Sequence, residues 1–94
     1  MTITHSTTST KGLFLATEND QKMGEMVYSM NGPDRLIIEH TEGFPGSEGK
    51  GVGAQLLAAA VDHARTHGLR IVPVCPFARK MMDRRKEEYT DVRA

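Results

Sequence analysis

The sequence predicts a single α/β domain in which a mixed sheet begins as an antiparallel meander, continues through a β-α-β unit and is followed by a C-terminal helix. Three features lead to this fold class. Strand-like runs alternate with turn signals before residue 42, a glycine-rich stretch then precedes apolar residues at helical spacing, and a further apolar run follows that helix. A strand, a helix and a strand within about thirty residues form a crossover, which nearly always joins parallel strands. The sheet is therefore expected to be mixed.

The composition excludes several classes of protein. A length of 94 residues with 38% hydrophobic and 26% charged content is typical of one globular domain, and no apolar run approaches the ~20 residues that span a bilayer. Twelve basic residues balance twelve acidic ones, so net charge favours neither nucleic acid nor an anionic membrane as a partner. Cys75 is the only cysteine, which rules out an intrachain disulfide and favours a reducing compartment, so a cytoplasmic location is expected.

The chain before residue 42 is predicted to hold a disordered end and three strands. Residues 1–10, MTITHSTTST, lack the charged start and apolar stretch of a secretory signal and are expected to be disordered, with the domain at residues 11–90. A first strand is expected around residues 13–15, before a polar turn. A second strand follows at residues 23–30, and a third at residues 35–41 after an Asn-Gly-Pro-Asp turn.

The second half of the chain is predicted to contain two helices and one strand. Apolar residues recur at helical spacing from Val52 to Ala64, and Gly68 provides the usual left-handed stop. Residues 69–75 predict the fourth strand, in which Pro73 lacks an N–H, so one side of that strand must be an edge, a bulge or a gap. A shorter helix is expected after Pro76, and residues 91–94 are expected to form a polar tail.

The glycine-rich stretch at the helix start indicates a phosphate-binding loop. Five glycines lie between residues 42 and 53, and such a turn gathers free backbone N–H groups at the positive end of the helix dipole. A P-loop needs Ser or Thr after its Gly-Lys pair, whereas Gly51 follows Lys50 here. The dinucleotide fingerprint fails as well, because its glycine spacing and its acidic residue after the next strand are both missing. If the loop binds no ligand, its glycines serve only to make a tight connection between strand and helix.

The glycine pattern resembles the diphosphate loop of the GNAT acetyltransferase superfamily, and most closely that of very short, predicted N-acetyltransferase domains. The order of His40-Thr41-Glu42, the glycine loop, a helix, and Pro73-Val74-Cys75 followed by Pro76-Phe77 carries the resemblance. It implies acetyl-CoA as acyl donor, with the diphosphate held at Gly49, Lys50, Gly51, Val52, Gly53 and Ala54, and the pantetheine arm beside Thr41, Glu42 and Gly43. Glu48 departs from the superfamily, which has Arg or Gln at that position, and a carboxylate there is unfavourable beside a diphosphate.

Cys75 and His40 are the catalytic candidates, because the resemblance implies that they face one another where the acetyl group lies. A cysteine can accept the acetyl group as a thioester or protonate the departing coenzyme A thiolate. A histidine titrates near neutral pH and can act as the base for the thiol or the amine. The structural alternatives are a small buried packing residue for Cys75 and a backbone hydrogen bond for His40.

Two further groups of residues have weaker functional interpretations. His63 and His67 lie four positions apart on the helix, a spacing that can chelate zinc, yet no third ligand accompanies them and no metal site is predicted. A basic patch follows on the last predicted helix, formed by Arg79, Lys80, Arg84, Arg85 and Lys86. It could bind the 3′-phosphate of coenzyme A or an acidic peptide, and the alternative is an ordinary solvent-exposed charged surface.

The sequence thus predicts an acetyl-CoA-binding N-acetyltransferase that acts on an amine acceptor, either a small molecule or a protein, with no nucleic-acid or membrane partner. The larger relatives carry extra N-terminal helices that shape the acceptor site. Because this chain has no room for them, its acceptor pocket should be open, and a homodimer interface is one way to complete it. The alternatives are a non-catalytic acyl-CoA-binding or interaction module on the same fold, favoured by Glu48, and a nucleotide-binding module.

Overall fold

Five strands in the order β1-β2-β3-β4-β5 form one sheet in the computed structural model, which describes all 94 residues. The strands are β1 (Thr2–Thr7), β2 (Lys11–Glu18), β3 (Gln21–Asn31), β4 (Arg35–Gly43) and β5 (Arg70–Pro73), and the helices are α1 (Val52–His67) and α2 (Pro76–Arg84). Strands β1 to β4 pair antiparallel in succession, whereas β4 and β5 pair parallel. This arrangement confirms the mixed sheet and the β-α-β unit predicted from the sequence.

The N-terminal segment differs from expectation, because residues 2–7 form an edge strand instead of a disordered end. Strand β1 pairs with β2 from Thr2 opposite Thr17 to Thr7 opposite Gly12. Threonine and isoleucine favour extended backbone, and the imidazole of His5 stacks on the ring of Phe14 with centroids 4.1 Å apart. The segment is too polar to be buried, but these contacts with its neighbour are enough to order it.

Helix α1 has the limits that its sequence signals predict. Gly51 precedes it in a left-handed conformation with φ of 66°, and Gly68 follows it with φ of 67° and donates its N–H to the Ala64 carbonyl. The helix buries one apolar stripe against the sheet, consisting of Val52, Leu56, Leu57, Ala60, Val61 and Ala64. Neither α1 nor α2 is long and apolar enough to cross a bilayer.

The C-terminal residues pair with the sheet, so the expected polar tail at residues 91–94 is wrong. A 3-10 helix at Lys86–Tyr89 leads back to β5, where the Ile71 N–H donates to the Val92 carbonyl at 2.5 Å and the Ala94 N–H donates to the Ile71 carbonyl at 2.9 Å. Tyr89 and Val92 are buried in the core, which explains why the segment is ordered. Pro73 lies just beyond this pairing on the outer edge, as its missing N–H requires.

The buried apolar core lies between the sheet and the helices, and the opposite face of the sheet is uncovered. The core contains 19 residues, among them Met26, Leu36, Ile38 and Ile71 from the strands. Alternate residues of the same strands lie on the uncovered face and remain half-buried; the apolar ones are Leu13, Leu15, Val27, Ile37 and Val72. The molecule therefore consists of two layers, with one sheet face left for a ligand or a partner.

Candidate functional site

A gap opens between β4 and β5 where their parallel pairing stops. The last paired residues are Ile38 and Pro73, and the Ile38 carbonyl accepts both the Val74 N–H at 3.1 Å and the Cys75 N–H at 3.0 Å. Strand β4 continues to Gly43, but only β3 pairs with it there. The edge of β4 at residues 39–43 that faces β5 is therefore unpaired. The resemblance to the acetyltransferase superfamily implies that the pantetheine arm lies along this edge.

The glycine loop presents a set of free backbone donors beside this gap. The N–H groups of the loop and first helical turn have no acceptor within the chain; they belong to Gly49, Gly51, Val52, Gly53 and Ala54. The first helical hydrogen bond runs from the Gln55 N–H to the Gly51 carbonyl at 3.1 Å. Unpaired N–H groups at a helix start form an anion site, so the local geometry suits a diphosphate.

The two charged side chains of the loop are both engaged within the chain. The Glu48 carboxylate turns back and accepts the Gly46 N–H at 3.0 Å, so it does not pair with Lys50. The Lys50 ammonium instead pairs with the carboxylate of Glu18 at the end of β2. Lys50 lowers the pKa of Glu18, first through the hydrogen bond that it donates and then through its charge. The sequence analysis did not predict Glu18, because it lies 32 residues from Lys50.

Gly53 has a packing role in addition to its free N–H. A Cβ at this position would lie 2.4 Å from Cζ of Phe77, which therefore packs directly on the first turn of α1. Cys75 and Pro76 immediately precede Phe77, so this contact fixes the start of α2 against the glycine loop. Phe77 is a second residue of the region that the sequence analysis did not single out as functional.

Cys75 lies on the helix side of the gap and contacts β4. It is 4% exposed, and its Sγ donates a hydrogen bond to the hydroxyl oxygen of Thr41 at 3.4 Å. Thr41 is paired with Met26, a fully buried residue of β3, and therefore faces the core. The structure thus brings together Cys75 and Thr41, two residues that the sequence analysis assigned to different roles.

His40 lies on the other face of the sheet, so the structure does not place it against Cys75. The register of β3 and β4 shifts by one residue, with Tyr28 opposite Ile38 and Val27 opposite His40. This bulge leaves Glu39 without a partner and puts His40 on the uncovered face with Val27. There its Nε2 lies 3.1 Å from Oε1 of Glu42, and both side chains are more than half exposed.

The remaining candidates lie apart from the gap or at its rim. Arg79 donates from Nε to the Pro73 carbonyl at 3.4 Å, and a shallow groove along α2 is lined by Pro76, Arg79, Lys80, Asp83 and Arg84. His67 donates from Nδ1 to the carbonyl of His63 at 2.9 Å, so the i, i+4 pair is not arranged around a metal ion. No group of three or more metal-ligating side chains is suitably arranged in the structure.

Comparison with known proteins identifies the family. A model of the GCN5-related N-acetyltransferase family matches residues 13–92. This chain belongs to that family. The NMR structure of a GCN5-like candidate N-acetyltransferase from Staphylococcus aureus is 31% identical, with a TM-score of 0.69, and the match covers 97% of this chain and 87% of that protein. The fold and the family together establish an N-acetyltransferase-like protein.

Two larger acetyltransferases share the fold at lower identity. Ribosomal-protein-alanine N-acetyltransferase from Brucella melitensis is 19% identical with a TM-score of 0.66, and the match covers 93% of this chain and 64% of that one. An aminoglycoside N-acetyltransferase in complex with CoA is 20% identical with a TM-score of 0.59, covering 82% of this chain and 67% of that one. A search among curated proteins found no significant match. This chain therefore matches about two thirds of the length of these two acetyltransferases.

Proposed function

We propose that this protein binds acetyl-CoA through the glycine loop and transfers the acetyl group to an amine. The observation that supports this most strongly is the set of unpartnered N–H groups of Gly49 and of Gly51 to Ala54, located at a helix start beside the β4–β5 gap. These donors suit the diphosphate, and the free edge of β4 from Thr41 to Gly43 suits the amide groups of pantetheine. The basic groove at Arg79 and Lys80 suits the 3′-phosphate.

We assign Cys75 to the thioester side of the reaction. The amine nitrogen attacks the thioester carbonyl, the carbon–sulfur bond breaks, and the coenzyme A thiolate takes up one proton while the amine loses one. The Cys75 thiol, held near β4 by its hydrogen bond to Thr41, can supply that proton. In the relay alternative, its thiolate first accepts the acetyl group as a thioester and then passes it to the amine.

We assign His40 to the acceptor side. Its position on the uncovered face separates it from Cys75 by the thickness of the sheet, so one base serving both thiol and amine is not supported. An acceptor that approaches from this face would meet His40, and Glu42 at 3.1 Å orients the imidazole. The proposed acceptor is an amine of a small molecule or a protein.

Backbone amide NMR tests the binding step. Titration with acetyl-CoA is expected to shift the signals of Gly49 to Ala54 and of Thr41 to Gly43, while ATP with magnesium should shift them less. Unchanged loop signals would remove the ligand assignment, and tighter binding of ATP would favour a nucleotide-binding module.

Replacement of Cys75 tests the chemical step. If the thiol donates the proton, Cys75→Ala should lower kcat by about 10²-fold or more without changing the affinity for acetyl-CoA. If it relays the acetyl group, mass spectrometry should detect an acetylated Cys75 that disappears when an amine is added. Wild-type turnover in Cys75→Ala would exclude both roles.

A non-catalytic acyl-CoA-binding module is the second candidate, favoured by the engagement of both charged loop side chains. It predicts the same NMR shifts as the enzyme but no release of free coenzyme A thiol with any amine. Thiol release with a series of amines, measured colorimetrically, separates the two functions.

A further inference from the structure

The uncovered sheet face has the features of a contact surface for a second copy of this chain. Its apolar side chains are adjacent across strands: Leu13 lies opposite Val27, and Ile37 lies opposite Val72. Leu15 continues the patch along β2. None of these five residues contributes to the core cluster, so the patch is separate from the packing that holds the domain together.

Charge on this face is arranged in opposite signs at its two ends. One end carries Arg35, which is paired in register with Arg70, together with Lys11. The Arg70 guanidinium donates to the Thr90 carbonyl at 3.3 Å, and the charge of Lys11 is balanced by Glu39 at 3.3 Å, so Arg35 is the free charge at this end. The other end carries Glu25 and Glu42, which lie directly opposite one another on β3 and β4. Lys22 lies one row further out, and His40 accompanies Glu42. Like charges side by side are unfavourable unless a partner compensates them.

We propose that two copies stack these faces about a two-fold axis that lies between the sheets and runs across the strands. This axis reverses the strand direction, so Arg35 of one copy lies over the end of the partner copy that carries Glu25 and Glu42. An axis along the strands would instead superimpose ends of the same charge. A face that complements itself in this way forms a closed, isologous dimer.

The face is large enough for such an interface. The molecule measures 34 × 31 × 21 Å, and the two layers of sheet and helix account for the short dimension. The outline of its broad side, 34 × 31 Å, is thus large enough to include a patch of the ~800 Å² that each partner contributes to a standard interface. An apolar centre with a charged rim is also the usual composition of such surfaces.

The dimer would also complete the acceptor side of the active site. This consequence rests on the proposed function, whereas the dimer itself does not. His40 and Glu42 lie at the acidic end, so the basic end of the partner would form the outer wall of the acceptor pocket. The acceptor would then enter between two copies instead of approaching a bare sheet.

Sedimentation velocity over a wide range of concentrations tests the association. The wild-type protein should approach twice the monomer mass of 10.4 kDa as concentration rises. Val27→Lys should remain monomeric, and Leu13→Gln provides a milder variant should Val27→Lys fail to fold. Ala58→Lys, an exposed change on α1, is the matched control and should dimerise normally. A monomer at all concentrations, or a dimer unaffected by both face variants, would overturn the proposal.

A charge swap tests the orientation. Glu25→Lys and Arg35→Glu should each weaken dimerisation by about tenfold, because each places like charges together. The double variant should recover most of the loss. If the double variant associates more weakly than either single variant, the antiparallel orientation is incorrect. None of these measurements uses activity, so a failed acetyltransfer assay and a failed dimer remain distinguishable.

Discussion

Under the proposed function, Lys50 is the residue on which the affinity of the loop for a diphosphate should depend most clearly. It is the only basic side chain between Glu42 and Ala54, and it is already paired with Glu18. A diphosphate must therefore compete with a carboxylate for this ammonium group, or bind through the backbone donors alone. Because Glu18 belongs to the β2–β3 hairpin, a residue outside the loop sets how much of the charge of Lys50 is available.

Glu18→Gln should strengthen binding of acetyl-CoA. The amide removes the negative charge that holds Lys50, so the Kd is expected to fall by about two- to fivefold, with the larger effect at low salt. Isothermal titration calorimetry at two salt concentrations measures it. Glu87→Gln, an exposed change in the 3-10 helix, serves as the control. A weaker affinity in Glu18→Gln would mean that Glu18 positions Lys50 instead of competing for it.

The local conformation of single residues in the candidate site was predictable where local sequence determines it. The glycines of the loop and the helix start follow from the order of residues, and the structure provides free N–H groups there. The relation of His40 to Cys75 was not predictable, because one bulge at Glu39 moves His40 to the opposite face. Such a register shift depends on the pairing of β3 with β4, which leaves no mark in the sequence of β4 itself.

At the scale of elements, the contact between Gly53 and Phe77 joins α1 to α2. The ring of Phe77 occupies the space where any other side chain of residue 53 would begin. Helix propensity alone would favour alanine over glycine in α1 by about 1 kcal/mol. The glycine is therefore required by the neighbouring helix and not by α1 itself.

Gly53→Ala should destabilise the protein by about 1–3 kcal/mol, because the added methyl group overpacks against Phe77. Urea unfolding followed by circular dichroism measures the change. Combining it with Phe77→Leu removes the clashing ring atom and should recover part of the loss, which identifies the contact as the cause. A stabilised single variant would show that Phe77 moves aside at little cost.

Elements with strong local signals had the predicted limits, and elements held by distant partners did not. The start of α1 at Val52 and its end at His67 follow from glycine caps and apolar spacing. Strand β1 is polar and is ordered by pairing with the next strand, β2, whereas the short segment containing Val92 is ordered by pairing with β5, which is more distant in sequence. Pairing along an edge strand is a tertiary property, and this explains why both termini were assigned as irregular.

At the scale of the whole molecule, a histidine cluster connects the first strand to the helix layer. The ring centroids of His5 and His63 are 4.5 Å apart, and those of His63 and His67 are 4.3 Å apart. Nε2 of the His5 ring is hydrogen-bonded to the Tyr28 hydroxyl at 2.7 Å. Burial lowers the pKa of both His5 and His63, and repulsion from neighbouring histidines lowers both values further. The negative charge of Asp62 acts in the opposite direction and raises the pKa of His63.

The free energy of unfolding should therefore decrease when these histidines become protonated. The pKa values of His5 and His63 are lower in the folded state than the ~6.5 of an unfolded chain. Their contribution to the free energy of unfolding is therefore complete above about pH 6.5 and is lost as the pH falls through their folded-state pKa values. His63→Gln should reduce the loss of stability between about pH 7 and about pH 5, measured by urea unfolding. His5→Gln should act in the same direction. Equal losses in all three proteins would contradict the prediction.

Pro73 and the C-terminal pairing at Ile71 give the sheet two unequal edges. Beyond Ile71, the outer side of β5 has no N–H to offer, because Pro73 occupies the position from which the next donor would point outward. The opposite edge, β1, carries only polar and β-branched side chains with no proline or charge, and its outer backbone groups are free. Chain-to-chain growth of this sheet can therefore proceed in one direction only, from β1, and a single lysine or proline introduced into that strand would close it.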